Sequence, residues 1–460
     1  MKRLSCLLTL GLTCLSSAAL GNGRYPIANQ LLVSPSDASR LVLRTTFGLV
    51  LSEDGGHTFG WVCEKAAGFV NNEDPPVEVT ADGSILVASS QALSVSHDGG
   101  CAWEQQLAEL SIVDADVDPS QPKRTVAIAS LYIDGGTRSG LEESLDDAKT
   151  WHTLGADFDG LPATIAVAPS DPQRIYASGT TTSDLTPIIS TSDDNGATWK
   201  SFPLVQENIT VPFLAAIDPK HPEVVYVRAP TALGSDVLVM SHDFGEHFTT
   251  LFTAKGGLYG FALSPDGTQV AVGGPSDPLS VASTTDYAFR TVSDVAPLCL
   301  KWSEAGLYSC ADEAKAGFSL ALSKDGGTSF DALFHKPELT LKACPATLDT
   351  GKYCPQAWVG QQAVLGIDAG APGGGASATG GVTSEAPDAS VSSGAGSGNA
   401  TGASGASNAG SAGSSASPAS GNGSCAVSEM GARRRAWAVL AGLAFAGALA
   451  FRRAGARRKR

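Results

Sequence analysis

Basic residues are scarce where this chain would need them to meet a polyanion. Of its 31 Lys and Arg, 11 lie in the first three residues or from Arg433 onward, while all 46 Asp and Glu lie between. The stretch from Leu4 to Met430 therefore holds 20 basic against 46 acidic residues, a net charge of −26. Nucleic acid and anionic lipid both require a basic footprint, so neither is expected as a ligand. Histidine is also rare, at seven. No His-Glu-x-x-His occurs, and His57, His97, His242 and His247 sit apart in or beside turns, so neither a metal shell nor a cofactor is expected. Gly-x-Ser-x-Gly and a phosphate-cradling glycine loop are both missing, which removes the familiar serine-hydrolase and nucleotide-binding readings.

What the chain does have is repetition. Asp54, Asp98, Asp146, Asp194, Asp243, Asp286 and Asp325 recur at intervals of 44, 48, 48, 49, 43 and 39 residues, each in a similar octet. Clear copies are Ser52-Glu-Asp54-Gly-Gly56-His-Thr-Phe59 and Ser192-Asp-Asp194-Asn-Gly196-Ala-Thr-Trp199. The third, Ser144 to Trp151, has Ala148 for Gly, and the sixth, Thr284 to Phe289, is two residues short. Asp and Ser can bond nearby backbone N–H groups, Gly tolerates positive φ, and the closing Trp or Phe is an apolar plug. A short apolar run precedes each octet, and a Pro or Gly turn such as Asp218-Pro219 lies further upstream. Four short antiparallel strands in about 40–50 residues make one propeller blade. The expected fold is all-β, a seven-bladed β-propeller of four-stranded blades. The last blade looks complete in itself, from Leu298 to Phe334, so the ring is expected to close without a shared strand.

The octet resembles the Asp-box (BNR) repeat, Ser-x-Asp-x-Gly-x-x-Trp, over roughly residues 24–335. The upstream Asp-Pro turn with its following Val/Ile-Tyr strand is similar to that of the sortilin-type receptors, the photosystem II assembly factors and the xyloglucanase-type hydrolases. The resemblance implies that the box Asp residues are turn residues at the rim, away from the central pocket. Sialidases, which share the box, clamp a substrate carboxylate with three arginines and mark blade one with Phe/Tyr-Arg-Ile-Pro. Here Arg24-Tyr25-Pro26-Ile27 is a scrambled echo, and the eight arginines between residues 22 and 368 yield no triad. A xyloglucanase-type site needs two acids at a cleft. Asp114 and Asp116 lie two apart on what repeat alignment makes the inner strand of the third blade, so both face one side. They are the candidate catalytic acids.

Both ends read as addresses. Lys2-Arg3 followed by an apolar run to Leu20 and small residues is a secretory signal peptide over 1–21. Residues 369–424 are almost pure Gly, Ala and Ser, a disordered linker spanning on the order of 40 Å. The tail 425–460 carries Cys425, an apolar run over 436–451 expected to be a transmembrane helix, and a closing Arg cluster. It resembles the MYXO-CTERM sorting signals. That resemblance implies removal of the helix by a sorting protease and display at the outer surface, with the helix or a lipid on Cys425 as anchor.

Six cysteines remain in the exported body, an even set that points to disulfides. Cys299 and Cys310 bracket a hairpin turn symmetrically. The other expected pairs are Cys344–Cys354, stapling a capping segment over 336–368, and Cys63–Cys101, linking adjacent blades. The reading is a cell-surface, non-catalytic propeller that binds a protein or glycan at the end face where inter-blade loops gather. The alternatives are a glycoside hydrolase of sialidase or xyloglucanase type, acting on extracellular polysaccharide, and an assembly factor for an envelope complex.

Overall fold

The computed structural model of the chain describes residues 24–367 except 71, 72, 134, 135 and 207. The signal peptide, the linker over 369–424, Cys425 and the apolar run over 436–451 lie outside the described residues. Among the described residues no helix is long and apolar enough to cross a membrane.

The described chain forms seven antiparallel sheets in sequence order, each a meander of four strands, with one strand added to the first. Their inner strands are Ala28–Val33, Val77–Val79, Ser111–Val117, Leu161–Ala168, Phe213–Ile217, Gly260–Leu263 and Pro297–Ser303. Each inner strand packs against the next, and the seventh packs against the first, so the sheets close into a ring around a central channel. The middle strands are the most apolar. Val225-Tyr226-Val227 and Leu238-Val239 of blade 5 are fully buried, because both faces of each blade meet a neighbour.

The Asp boxes lie between the third and fourth strands, as their turn chemistry predicts. In blade 4 the Ser192 hydroxyl donates to Asp194 Oδ1 at 2.8 Å and accepts from Gly196 N at 2.8 Å. Asp194 also accepts from the Thr198 N–H and hydroxyl. Boxes 1, 2, 3, 5 and 7 repeat the same serine-centred geometry. Ala148 of box 3 holds the left-handed conformation, φ 62°, that its counterparts leave to Gly. The sixth box departs: among its bonds, Asp286 accepts from Ala288 N, and the Ser283 hydroxyl accepts from Thr285 N. In the full boxes the Gly N–H is buried and the Ser oxygen satisfies it. Ser192→Ala is therefore expected to lower unfolding free energy by about 1–3 kcal/mol, read by urea denaturation, through one orphaned buried donor.

These bonds lower the carboxyl pKa of Asp54, Asp146, Asp194, Asp243 and Asp325. The Thr58 hydroxyl, followed by its N–H, drives Asp54 well below the usual carboxylate range. The corresponding groups of Thr150 bring Asp146 down to about 2. This stability is present above the ordinary carboxyl pKa and is lost as pH falls through the depressed values.

The chain after blade 7 closes the ring. Thr340–Leu341 adds to the outer edge of blade 1 as a parallel fifth strand, Thr340 opposite Gly60. Helix Asp349–Leu365 then packs against blades 1 and 2: Trp358 lies 5.3 Å from Trp61, Asp349 accepts from Trp103 N, and Thr350 donates to Gly100 O. Two disulfides fasten this clasp, Cys63–Cys354 and Cys101–Cys344, and a third, Cys299–Cys310, joins register partners within blade 7. The expected pairs Cys344–Cys354 and Cys63–Cys101 are thus corrected. Cys63 follows the outer strand of blade 1, and Cys101 sits in the box of blade 2. The clasp runs past both, and each meets a cysteine of the clasp, across sequence separations of 291 and 243 residues.

Candidate active site

The inner strands bring Asp114 and Asp116 of blade 3 to the channel, as the repeat alignment predicts, and add a third acid, Glu78 of blade 2. Lys301 of blade 7 and Arg44 of blade 1 supply the nearby positive charge. Glu78 escaped the sequence reading because Val77-Glu-Val79 looks like any alternating strand. Its signal was its place at the start of blade 2, one blade before Asp114.

Both aspartates also have structural partners. Asp114 Oδ2 accepts from Ile165 N at 2.9 Å, and Asp116 Oδ2 from Val167 N at 2.7 Å. These donors lie on the open edge of the blade 4 inner strand. The same device recurs around the ring. The Gln30 amide grips the backbone of Val77, and Thr164 Oγ1 accepts from Leu214 N. Channel side chains thus fasten three of the inner edges to the next blade, which explains polar residues at these depths without catalysis.

Their protonation adds a second property. Each aspartate is partly reachable by solvent yet enclosed by protein on all sides. Burial, outweighing the backbone N–H from Ile165, raises Asp114 to about 7. Burial likewise raises Asp116 to about 7, against the N–H of Val167. Glu78 is pushed well above its ordinary value by burial and by Asp116 beside it, with Lys301 opposing. Three carboxyls crowded in one enclosure cannot all be ionised cheaply, so protons are held near neutral pH. The sign for stability follows. A carboxyl whose folded pKa is raised stabilises below its unfolded value, near 4, and that stability is lost as pH rises through about 7. The unfolding midpoint is expected to fall between pH 5 and 8, and Asp116→Asn is expected to flatten that slope, as thermal scans across pH would show.

The arginines do not converge. Arg24 pairs with Glu64 and Asp74, Arg124 with Asp118 and Glu143, Arg138 with Asp157, and Arg174 with Asp171, each committed to its own acidic partner. No carboxylate clamp of sialidase type forms among the described residues. At the rim, Asp243, Glu246 and His247 bring ligand atoms within 4.8 Å of one another. That group is exposed, and His247 Nδ1 bonds Asp243 at 2.7 Å where a box hydroxyl does elsewhere. Turn stabilisation accounts for it.

Neither a protein-family profile nor any curated protein matches the chain. Solved structures do. An ancestral GH74 enzyme superposes with TM-score 0.51 at 13% identity, covering 68% of this chain and 46% of the enzyme. The GH74 xyloglucanase from Xanthomonas campestris covers 68% of this chain and 64% of its own at 16% identity, TM-score 0.33. A microbial sialidase covers 60% and 71% at 14% identity, TM-score 0.37. The chain spans about half the length of the ancestral enzyme, and at these identities the likeness concerns the fold. In its seven sheets, its serine-centred boxes and this likeness, the chain is an Asp-box-type β-propeller.

Proposed function

We propose that the propeller acts on extracellular polysaccharide as a glycoside hydrolase, with Glu78, Asp114 and Asp116 supplying the acid and base. The observation that carries this reading is the channel trio, where two aspartates hold protons up to about 7. Glycoside hydrolysis needs one carboxyl protonated to donate to the leaving oxygen and one ionised to act as base or nucleophile. The fold likeness to a GH74 enzyme lies with this alternative rather than with non-catalytic binding. Release of reducing ends from neutral and acidic glycans by the purified exported body is the test, with the Asn and Gln variants of the trio as controls.

A second reading, non-catalytic binding or complex assembly, is supported by a different observation. Strand alternation puts the loops between second and third strands, and those between blades, on the end face away from the boxes. Exposed apolar side chains gather there: Leu131, Tyr132 and Ile133 on the blade 3 hairpin, Leu185 on blade 4, Leu233 on blade 5 and Val205 between blades 4 and 5. Aliphatic side chains at 82% and 85% exposure, as at Leu233 and Val205, suit a protein partner better than a hydrated glycan. Co-purification of a stable envelope partner with the hydrolytically silent protein would favour it. Both readings place the propeller outside the cell, exported by the leader over 1–21. Display there by the tail around Cys425, after a sorting protease has acted, is part of the proposal.

A further inference from the structure

The rim between blades 6 and 7 carries a cleft of about 360 Å³ on the Asp-box face. The equivalent groove between blades 1 and 2, lined by Leu41, Leu51, Val79 and Ile85, holds only about 20 Å³. There the Arg40 guanidinium lies against Gly83 and fills the space. The difference at blade 6 begins in its sequence. The sixth box is two residues short, and its aromatics are committed to blade 5: Tyr287 bonds the Tyr226 hydroxyl at 2.7 Å, and Phe289 packs on Phe252 at 5.2 Å. The outer strand that follows, Arg290–Thr291, is two residues long, where those of the other blades are three to seven. Less chain therefore stands at the rim beside blade 7, and the gap stays open.

The lining has a definite chemistry. Half-buried Trp302 and the aliphatic Val281 and Val292 form an apolar wall. Exposed Arg290 and Lys324 stand at the cleft with Gln269 and Thr328, and neither cation makes an ion pair among the described residues. In a body of net charge −26, where most arginines are ion-paired, Arg290 is not, and Lys324 adds a second positive charge to the same cleft. Asp325 also lines it, but its oxygens already accept from the Ser323 and Ser329 hydroxyls and from the Thr328 and Ser329 N–H groups. We infer that this cleft is a subsite for a carboxylated saccharide, the Trp302 ring meeting a sugar face and Arg290 and Lys324 meeting the carboxylate. A volume of this size holds roughly one disaccharide unit. Guanidinium and ammonium donors to a carboxylate make charge-assisted bonds, and an indole suits the apolar face of a pyranose. The choice of a saccharide rests on the polysaccharide reading above; the cleft and its charge do not.

Titration of the purified exported body with a hyaluronan tetrasaccharide, followed by calorimetry, tests this inference, with cellotetraose as the neutral control. Saturable binding of the acidic sugar is expected, weakening about tenfold or more in Arg290→Gln and in Lys324→Gln and falling with added salt. Both side chains are exposed, so the variants are expected to keep the wild-type melting midpoint. Absence of binding, equal binding of cellotetraose, or undiminished binding in both variants would overturn the inference. These variants leave the channel untouched. Lost turnover with intact tetrasaccharide binding would count against the hydrolase alone, and the converse against the subsite alone.

Discussion

Replacing Cys63 and Cys354 together by alanine is expected to lower the unfolding free energy by about 3–5 kcal/mol, and Cys101 with Cys344 by a similar amount. Replacing Cys299 and Cys310 is expected to cost only about 2–3 kcal/mol. The contrast follows from loop length. The first two bonds close loops of 291 and 243 residues, nearly the whole ring, whereas the third closes 11. The physical role differs as well. Among the described residues the one strand that blade 1 takes from the C-terminal side is the added Thr340–Leu341, so the joint between blades 7 and 1 depends on inner-strand packing and on the clasp. The clasp itself offers a two-residue parallel strand and one helix, with Trp61 against Trp358, while Phe59 of blade 1 meets Phe334 of blade 7 directly. Without its covalent ties it is expected to fray first. Guanidinium titrations of the three double variants, with and without reductant, would measure the order. A midpoint unmoved by loss of both clasp bonds would contradict this account of ring closure.

The blades were legible in the sequence because box chemistry is local. A serine two residues before an aspartate, with a glycine two beyond, forms the same hydrogen bonds wherever it occurs, and the spacing then counts the blades. Asp114 and Asp116 could be placed on an inner strand by the same counting. Disulfide connectivity was hidden because it depends on where a rim segment passes in space. Cys344 and Cys354 lie close in sequence, but the intervening turn and helix carry them to different blades. Glu78 was hidden because its strand has only three residues and no motif. The shortness of the sixth box was visible as a defect; its consequence, an open cleft beside Trp302, needed the packing of blades 5 and 7.

The second large effect concerns the channel. Asp114→Asn, Asp116→Asn and Glu78→Gln preserve an acceptor for the neighbouring backbone while removing the titrating proton. The two Asn variants can still accept from Ile165 and Val167, so the ring is expected to remain folded. If the trio supplies acid and base, loss of the group that donates or accepts the proton removes on the order of 10²–10⁴ in rate. A residue that only ties blades together would change stability without changing the pH dependence of any reaction. The decisive measurement is therefore the pH profile of glycan hydrolysis by the wild-type body and the three variants. The account predicts turnover with a limb near pH 7 that is lost in at least one aspartate variant whose melting midpoint stays within a few degrees of wild type. Turnover undiminished in all three variants, or none on any neutral or acidic glycan with a correctly folded protein, would contradict it and leave the channel acids as inter-blade fasteners.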